Sequence, residues 1–162
     1  MARVVGSMVL LLWLSALPAA CAQELAKIPP AFQKHLEKMV GSWTFEGHEG
    51  ARKFSGEETV RLINHKTVLV QEGFFDLGGG AKERYFIVSG WDGVKKTMLV
   101  RGFTSDGYTW SGEWKKLQDG RWEGTASGGV ASFEVTEDAM RYEDANDGTP
   151  WVSEFRRKEV EE

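Results

Sequence analysis

The chain has 162 residues, which suits one domain with a sizeable core and leaves little room for two. Apolar residues make up 41% and charged residues 27%, so a wholly disordered or collagen-like chain is excluded. The net charge is −4 and no basic block occurs. This charge argues against nucleic acid as a partner, because its binding depends on neutralising phosphates.

The first 22 residues are predicted to be a secretory signal peptide. Arg3 supplies one positive charge, and an apolar run follows over 4–14. Ala20 and Ala22 put small residues at the first and third positions of the triplet before Gln23, as signal peptidase cleavage requires. The run is too short for a transmembrane anchor, which needs about 20 residues. We therefore expect a mature chain that begins at Gln23 and is secreted or periplasmic.

Cys21 is the only cysteine, and it allows a second interpretation of this leader. Residues 17–21 resemble the box of bacterial lipoproteins, in which the cysteine is lipidated and becomes the new N-terminus. The match is imperfect, because Leu17 lies one position too far upstream and Pro18 takes its place. A lipid on Cys21 is the one route by which we expect a membrane to be a partner. With either processing, the mature domain forms no internal disulfide and depends on its core for stability.

A short segment, 23–30, leads into a predicted amphipathic helix of about ten residues. The prolines at 29 and 30 suit the first turn of a helix. Apolar residues then recur at positions 32, 36, 39 and 40, which is helical spacing. Gly41 ends the pattern. The apolar stripe of this helix is suited to covering another part of the domain.

From Gly41 onward the apolar period changes from 3.6 to 2, which predicts half-buried antiparallel strands. Trp43 and Phe45, for example, share one face, and their polar neighbours share the other. Four Asp-Gly pairs and the run Gly78-Gly79-Gly80 indicate hairpin turns. The predicted strands cover 42–48, 57–64, 67–75, 83–91, 97–103, 108–115, 121–126, 131–136, 139–143 and 151–157.

Connections this short pair each strand with its neighbour in the chain, and closing the sheet removes both of its edges. The sequence therefore predicts an all-β protein, an up-and-down antiparallel barrel of about ten strands with one short N-terminal helix. The barrel domain is expected over 31–158, followed by an acidic tail at 159–162.

The helix that runs into Gly41-Ser42-Trp43 resembles the calycin superfamily, the lipocalins and their bacterial relatives. Over 102–107, 110–114 and 119–124 the chain is similar to a family of secreted bacterial lipocalin-like barrels of unknown function. The similarity covers roughly 32–158. It implies that Trp43, beside Gly41, closes one end of the barrel. It also implies that Arg157, or Arg156 as the second choice, covers the indole and bonds to the lid. An apolar ligand is implied, and no reaction is.

Aromatic residues are the main indication of a site. Their simplest role is to fill the core, but a barrel of more than eight strands can leave a cavity. An apolar cavity with a few polar groups is typical of a small-molecule site. We predict that a small hydrophobic ligand contacts inward-facing side chains of the barrel: Phe45, Leu62, Val70, Met98, Tyr108, Trp110, Trp114 and Tyr142.

Other kinds of site find little support in the sequence. His35, His48 and His65 lack the spacing of metal ligands and are expected at the surface, so no metal or cofactor is predicted. The glycines at 78–80 precede a strand, not the helix that a phosphate loop requires. Most acids, the pair at 57–58 among them, are expected to serve solubility, and no catalytic residue is assigned.

Three classes of function stay open. The first is a binding or carrier barrel for a small hydrophobic molecule. The second is a barrel enzyme that acts on such a molecule through a buried carboxylate or tyrosine, and the third is a structural module without a ligand. A buried carboxylate facing the aromatic wall favours the enzyme, and a filled interior favours the module.

Overall fold

The computed structural model describes residues 28–80, 82–116, 121–126, 128–145 and 148–159. The predicted leader, its cleavage site and Cys21 lie outside these residues. The described chain forms helix α1 (Pro30–Met39) and then strands only. These strands are β1 (Gly41–Glu49), β2 (Arg52–Ile63), β3 (Val68–Asp76), β4 (Lys82–Asp92), β5 (Thr97–Thr104), β6 (Thr109–Lys116), β7 (Trp122–Ala126), β8 (Gly129–Val135), β9 (Ala139–Asp144) and β10 (Trp151–Arg157).

The strands form a closed antiparallel barrel in which each strand pairs with its neighbours in the chain. β10 returns to β1 and closes the sheet, with Trp43 opposite Arg157 and Glu49 opposite Trp151. Closure satisfies the backbone groups that an open sheet would leave at its edges. The predicted fold class, a ten-stranded up-and-down barrel behind one helix, is confirmed.

Strand β2 is longer than predicted, because it begins at Arg52 and not at residue 57. Its first half was hidden by Gly56, which interrupts the apolar alternation that starts at Phe54. Gly56 lies opposite Phe45 in the register, and the ring of Phe45 fills the place where a side chain on Gly56 would be. A glycine in the middle of a strand therefore marks an aromatic contact here and not a turn.

The Asp-Gly pairs behave in two ways. Gly107, in the connection from β5 to β6, has a φ of 91°, as a tight turn requires. At Asp92-Gly93 the positive φ falls instead on Lys96, and the carboxylate of Asp92 accepts hydrogen bonds from the amides of residues 94 and 95 at 2.9 and 3.0 Å. The third pair, at 119–120, lies outside the described residues.

Helix α1 closes the end of the barrel at which the odd-numbered strands begin. Phe32 packs edge-on against Trp122 at 4.2 Å between ring centroids. His35, expected at the surface, is only 8% exposed and lies 4.9 Å from the same indole. In the described part of the chain, no helix is long and apolar enough to cross a membrane. The core at this end contains Phe32, Leu36, Met39, Trp43, Val60, Leu69, Met98, Val100, Trp122 and Met140.

Candidate functional site

Trp43 and Arg157 join the lid helix to the barrel. The indole of Trp43 is fully buried, and its Nε1 donates to the carbonyl of Met39 at 2.8 Å. The guanidinium of Arg157 lies 4.2 Å from the centre of the indole. Its three nitrogens donate to the carbonyls of Val40 at 2.6 Å, Lys38 at 2.7 Å and Glu137 at 2.9 Å.

Gly41 makes room for this arrangement. Its φ is 144°, and a Cβ atom there would collide with Nη1 of Arg157. Arg156 is exposed, because neighbouring residues of a strand face opposite sides of the sheet. The residues that the resemblance singled out therefore meet at the closed end, with Arg157 and not Arg156 on the indole.

Below the lid the barrel contains a cavity of about 610 Å³. Leu36 and Met39 of α1 form its closed end. Tyr108 belongs to the opposite rim and is 53% exposed, so the cavity opens there. A volume of this size lies within the range of small-molecule sites. The interior is therefore not filled by side chains.

Six of the eight predicted ligand contacts line this cavity: Phe45, Met98, Tyr108, Trp110, Trp114 and Tyr142. The placement of the other two is corrected. Leu62 faces inward, but it packs against the core under the lid. Val70 alternates with Leu69 and Gln71, which line the cavity, so Val70 faces the outer side of the sheet, where it is buried.

Glycines hold the aromatic rings flat against the wall. In five register pairs a ring lies against the glycine directly opposite. In four of them the ring itself leaves no room for a Cβ atom, and at Gly124 the carbonyl oxygen of Glu113 does so. Rings held in this way lie along the sheet and leave the middle of the barrel open. The pairs are Gly47–Phe54, Gly56–Phe45, Gly73–Tyr85, Gly102–Trp110 and Gly124–Trp114.

Replacing Gly73 with alanine is expected to push Tyr85 into the cavity. The new Cβ would lie 2.6 Å from both Cζ and Oη of Tyr85 and 2.5 Å from the carbonyl oxygen of Glu57. Overpacking of this kind costs about 1–3 kcal/mol of unfolding free energy, which denaturant titration measures. The matched control is Gly90→Ala on the same strand as Tyr85, where nothing lies within 4 Å. Equal stability of the two variants would contradict the proposed close packing.

A polar cluster interrupts the aromatic wall toward the closed end. Glu58, only 3% exposed, accepts at Oε2 from the hydroxyl of Tyr85 at 2.7 Å and from Nε2 of Gln71 at 3.5 Å. Its Oε1 is buried and has no hydrogen-bond partner among the described residues. Burial raises the pKa of Glu58 to about 7, against the two hydrogen bonds, which lower it. A carboxyl group in this state can exchange a proton near neutral pH.

A second phenol–carboxylate pair lies on the cavity wall nearer the mouth. The hydroxyl of Tyr142 donates to Oδ2 of Asp144 at 2.9 Å. Asp144 is 9% exposed, and burial followed by the charge of Asp144 raises the pKa of Tyr142 far above its ordinary value. Across the described residues, no three His, Cys, Asp or Glu side chains are grouped as metal ligands.

Sequence reasoning placed Glu58 among the solubilising acids, and the structure corrects this. The signal was present, because Glu58 has the same parity as Val60 and Leu62, which were assigned to the apolar face. Extending the period-2 pattern by one step toward the N-terminus puts the carboxyl group inside the barrel. Gln71 follows from the same rule, since it alternates in phase with Leu69.

Comparison with known proteins bears on the fold alone. No known protein family matches the chain, and no curated protein is significantly similar to it. Among solved structures, a de novo designed fluorescence-activating β-barrel matches with a TM-score of 0.50 and 14% identity. The match covers 76% of this chain and 96% of the designed one. The ten-stranded chain is therefore similar in fold to a designed β-barrel.

Proposed function

We propose that this protein binds a small hydrophobic molecule inside its barrel. The observation that carries the proposal is the open, aromatic-lined cavity of about 610 Å³. The aromatic and aliphatic part of the wall suits an apolar ligand, because burying its surface releases water, and the polar groups beside it can fix the orientation of the ligand. The likeness to a designed fluorescence-activating barrel supports this reading only as an analogy of fold. The structural module predicts a filled interior, so the open cavity argues against it.

Dye binding tests this function directly. Nile red, a neutral apolar dye, is expected to bind one molecule per chain and to fluoresce more strongly when bound. Trp110→Leu removes a ring from the wall and should weaken binding roughly threefold to tenfold, the worth of one aromatic contact. Phe103→Leu removes an exposed ring of β5 that does not line the cavity and serves as the control. Native mass spectrometry of protein from its own host would then identify the natural ligand.

We also propose that the barrel is related to the calycins. The support is the closed end, where a buried Trp43 follows the lid helix and Arg157 lies across it. Gly41 allows the close approach of Arg157.

A second candidate function is catalysis on a small apolar substrate. Glu58 favours it, because a buried carboxyl group with a pKa of about 7 faces the aromatic cavity and bonds to Tyr85. Such a group can act as a general acid or base near neutral pH. The test is turnover of the molecule recovered from the host. An enzyme would convert the molecule and lose this turnover in Glu58→Gln, whereas a carrier would leave the molecule unchanged.

We propose further that the chain is exported. The support is the charge at Arg3, the apolar run at 4–14 and the Ala20-Cys21-Ala22 triplet. Protein recovered from outside the cytoplasm should begin at Gln23 when N-terminal sequencing is applied. A blocked, diacylated Cys21 would instead identify a lipid-anchored protein. An intact Met1 on the mature protein would contradict export.

A further inference from the structure

Acidic side chains outnumber basic ones among the described residues of the cavity wall. Glu58 and Asp144 are the two wall carboxylates that are buried, at 3% and 9% exposure. Glu49 and Glu83 add acidic groups nearer the mouth, and Arg52 is the only basic residue among the described residues of the wall. Arg52 is exposed, and none of the described ion pairs joins it to Glu58. An anionic ligand would meet like charges as it entered.

Among the described residues, Glu58 has one carboxyl oxygen without a hydrogen-bond partner. None of the ion pairs between described residues includes it, and Oε1 lacks a donor. The groups around it are neutral: Gln71 of β3, Tyr85 of β4, and the indole of Trp43 opposite it on β1. A buried carboxylate without a full set of donors is costly. Natural proteins usually satisfy such a group, so a donor supplied by a ligand is a physical explanation for it.

The aromatic wall suits a positive charge as well as an apolar body. Tyr85, Trp110, Trp114 and Trp151 present rings to the same cavity. A cation over the face of an aromatic ring is attracted by the ring quadrupole, most strongly where water is excluded. The wall therefore offers two attractions for a cation, the carboxylate and the rings. Nε1 of Trp122, which also has no hydrogen-bond partner among the described residues, is a neutral donor and adds no charge to the wall.

We propose that the ligand is a hydrophobic amine, bound as its ammonium ion with an N–H group donating to Oε1 of Glu58. The apolar part of the ligand then lies along the aromatic rings toward the mouth. This inference rests on the proposed binding function and specifies its ligand class. An N–H donor is required, because a quaternary ammonium ion would leave Oε1 without a hydrogen bond.

Binding of an ammonium ion should be coupled to the proton of Glu58. The free protein holds this carboxyl group partly protonated near neutral pH, since its pKa is about 7. The bound ammonium favours the carboxylate, so the proton leaves to solvent when the ligand binds. Affinity should fall about tenfold for each pH unit below 7, and a neutral ligand should show no such change.

Three decyl compounds test the ligand class: decylamine, decanol and decanoate, each measured by displacement of Nile red at pH 8 and at pH 5. We expect decylamine to bind at least tenfold more tightly than decanol at pH 8, and decanoate more weakly than decanol. The advantage of decylamine should vanish at pH 5. If Nile red and decanol bind but decylamine has no advantage at pH 8, the amine proposal is wrong and the binding function stands. If neither Nile red nor any decyl compound binds, both are wrong.

The matched variants Glu58→Gln and Glu57→Gln test whether Glu58 causes the preference for decylamine over decanol. Both variants remove one negative charge from β2, but Glu57 is exposed and pairs with Lys158 on the outside. Glu58→Gln should bind decylamine and decanol equally, and Glu57→Gln should behave as wild type. An undiminished preference for decylamine in Glu58→Gln would overturn the proposal. Should Glu58→Gln fail to fold, the pH dependence in wild type still decides the matter, and a flat decylamine affinity between pH 5 and 8 overturns it.

Discussion

Replacing Trp43 with alanine is expected to lower the free energy of unfolding by about 3–5 kcal/mol, because it leaves a cavity where a fully buried indole was packed. The loss includes the hydrogen bond from Nε1 to the carbonyl of Met39, which ties the lid helix to β1. Denaturant titration measures the change. The cavity near the mouth should keep most of its dye affinity wherever the variant stays folded.

Arg157→Ala is expected to lower the free energy of unfolding by about 2–4 kcal/mol. Of this, about 1–2 kcal/mol belongs to the cation–π contact with Trp43, and the rest to three hydrogen bonds with main-chain carbonyls. Arg157→Lys should recover only part of the loss, because a single ammonium group cannot reproduce the planar fork of donors. Far-UV circular dichroism should show whether the lid helix is retained.

A double-mutant cycle measures the interaction free energy between Trp43 and Arg157. Because the cation–π contact is lost in either single variant, the double variant should cost about 1–2 kcal/mol less than the sum of the two. Arg156→Ala is the control, since this neighbouring side chain is exposed. Strict additivity of Trp43 and Arg157 would show that the two side chains do not stabilise each other.

Much of the architecture could be predicted because it depends on local patterns. The alternation from Trp43 onward indicates which face is buried in several strands, and short turns force neighbouring strands to pair. The helix ends where predicted, since Gly41 follows its last apolar turn. The contact between Trp43 and Arg157 could not be predicted from local patterns, because the two residues are far apart in the chain. It was predicted only from the resemblance to the calycins.

The polar part of the cavity escaped prediction for a physical reason. Charged residues are rarely buried, so an acid at position 58 is ordinarily assigned to solvent. Here the strand period overrides that preference, and Tyr85 and Gln71 satisfy one oxygen of the carboxyl group. The error at Val70 has the opposite origin. An apolar residue was assumed to face inward, although large parts of a protein's outer surface are apolar as well.

Glu58 is expected to make the free protein less stable as the pH rises from about 4.5 to 7. Glu58 has a pKa of about 7 in the folded state, raised by burial, and the ordinary value of 4.5 applies once the chain unfolds. In this window the folded state holds a proton that the unfolded state has lost, so rising pH favours unfolding. The stabilisation is complete below about pH 4.5 and is lost as the pH passes 7. Its size is about 3 kcal/mol.

Glu58→Gln should remove this slope, because the amide resembles the protonated acid in shape and does not titrate. The variant should match wild type near pH 5 and exceed its stability at pH 8, as measured by denaturant titration at each pH. Tyr85→Phe should enlarge the loss and extend it above pH 7, since the hydrogen bond from Tyr85 lowers the pKa of Glu58. Glu83, whose pKa is also raised by partial burial, remains in every variant, so the difference from wild type isolates Glu58. If wild type and Glu58→Gln change in parallel from pH 5 to 8, Glu58 is already ionised in the folded protein, and a cation or water must then satisfy Oε1 in the absence of ligand.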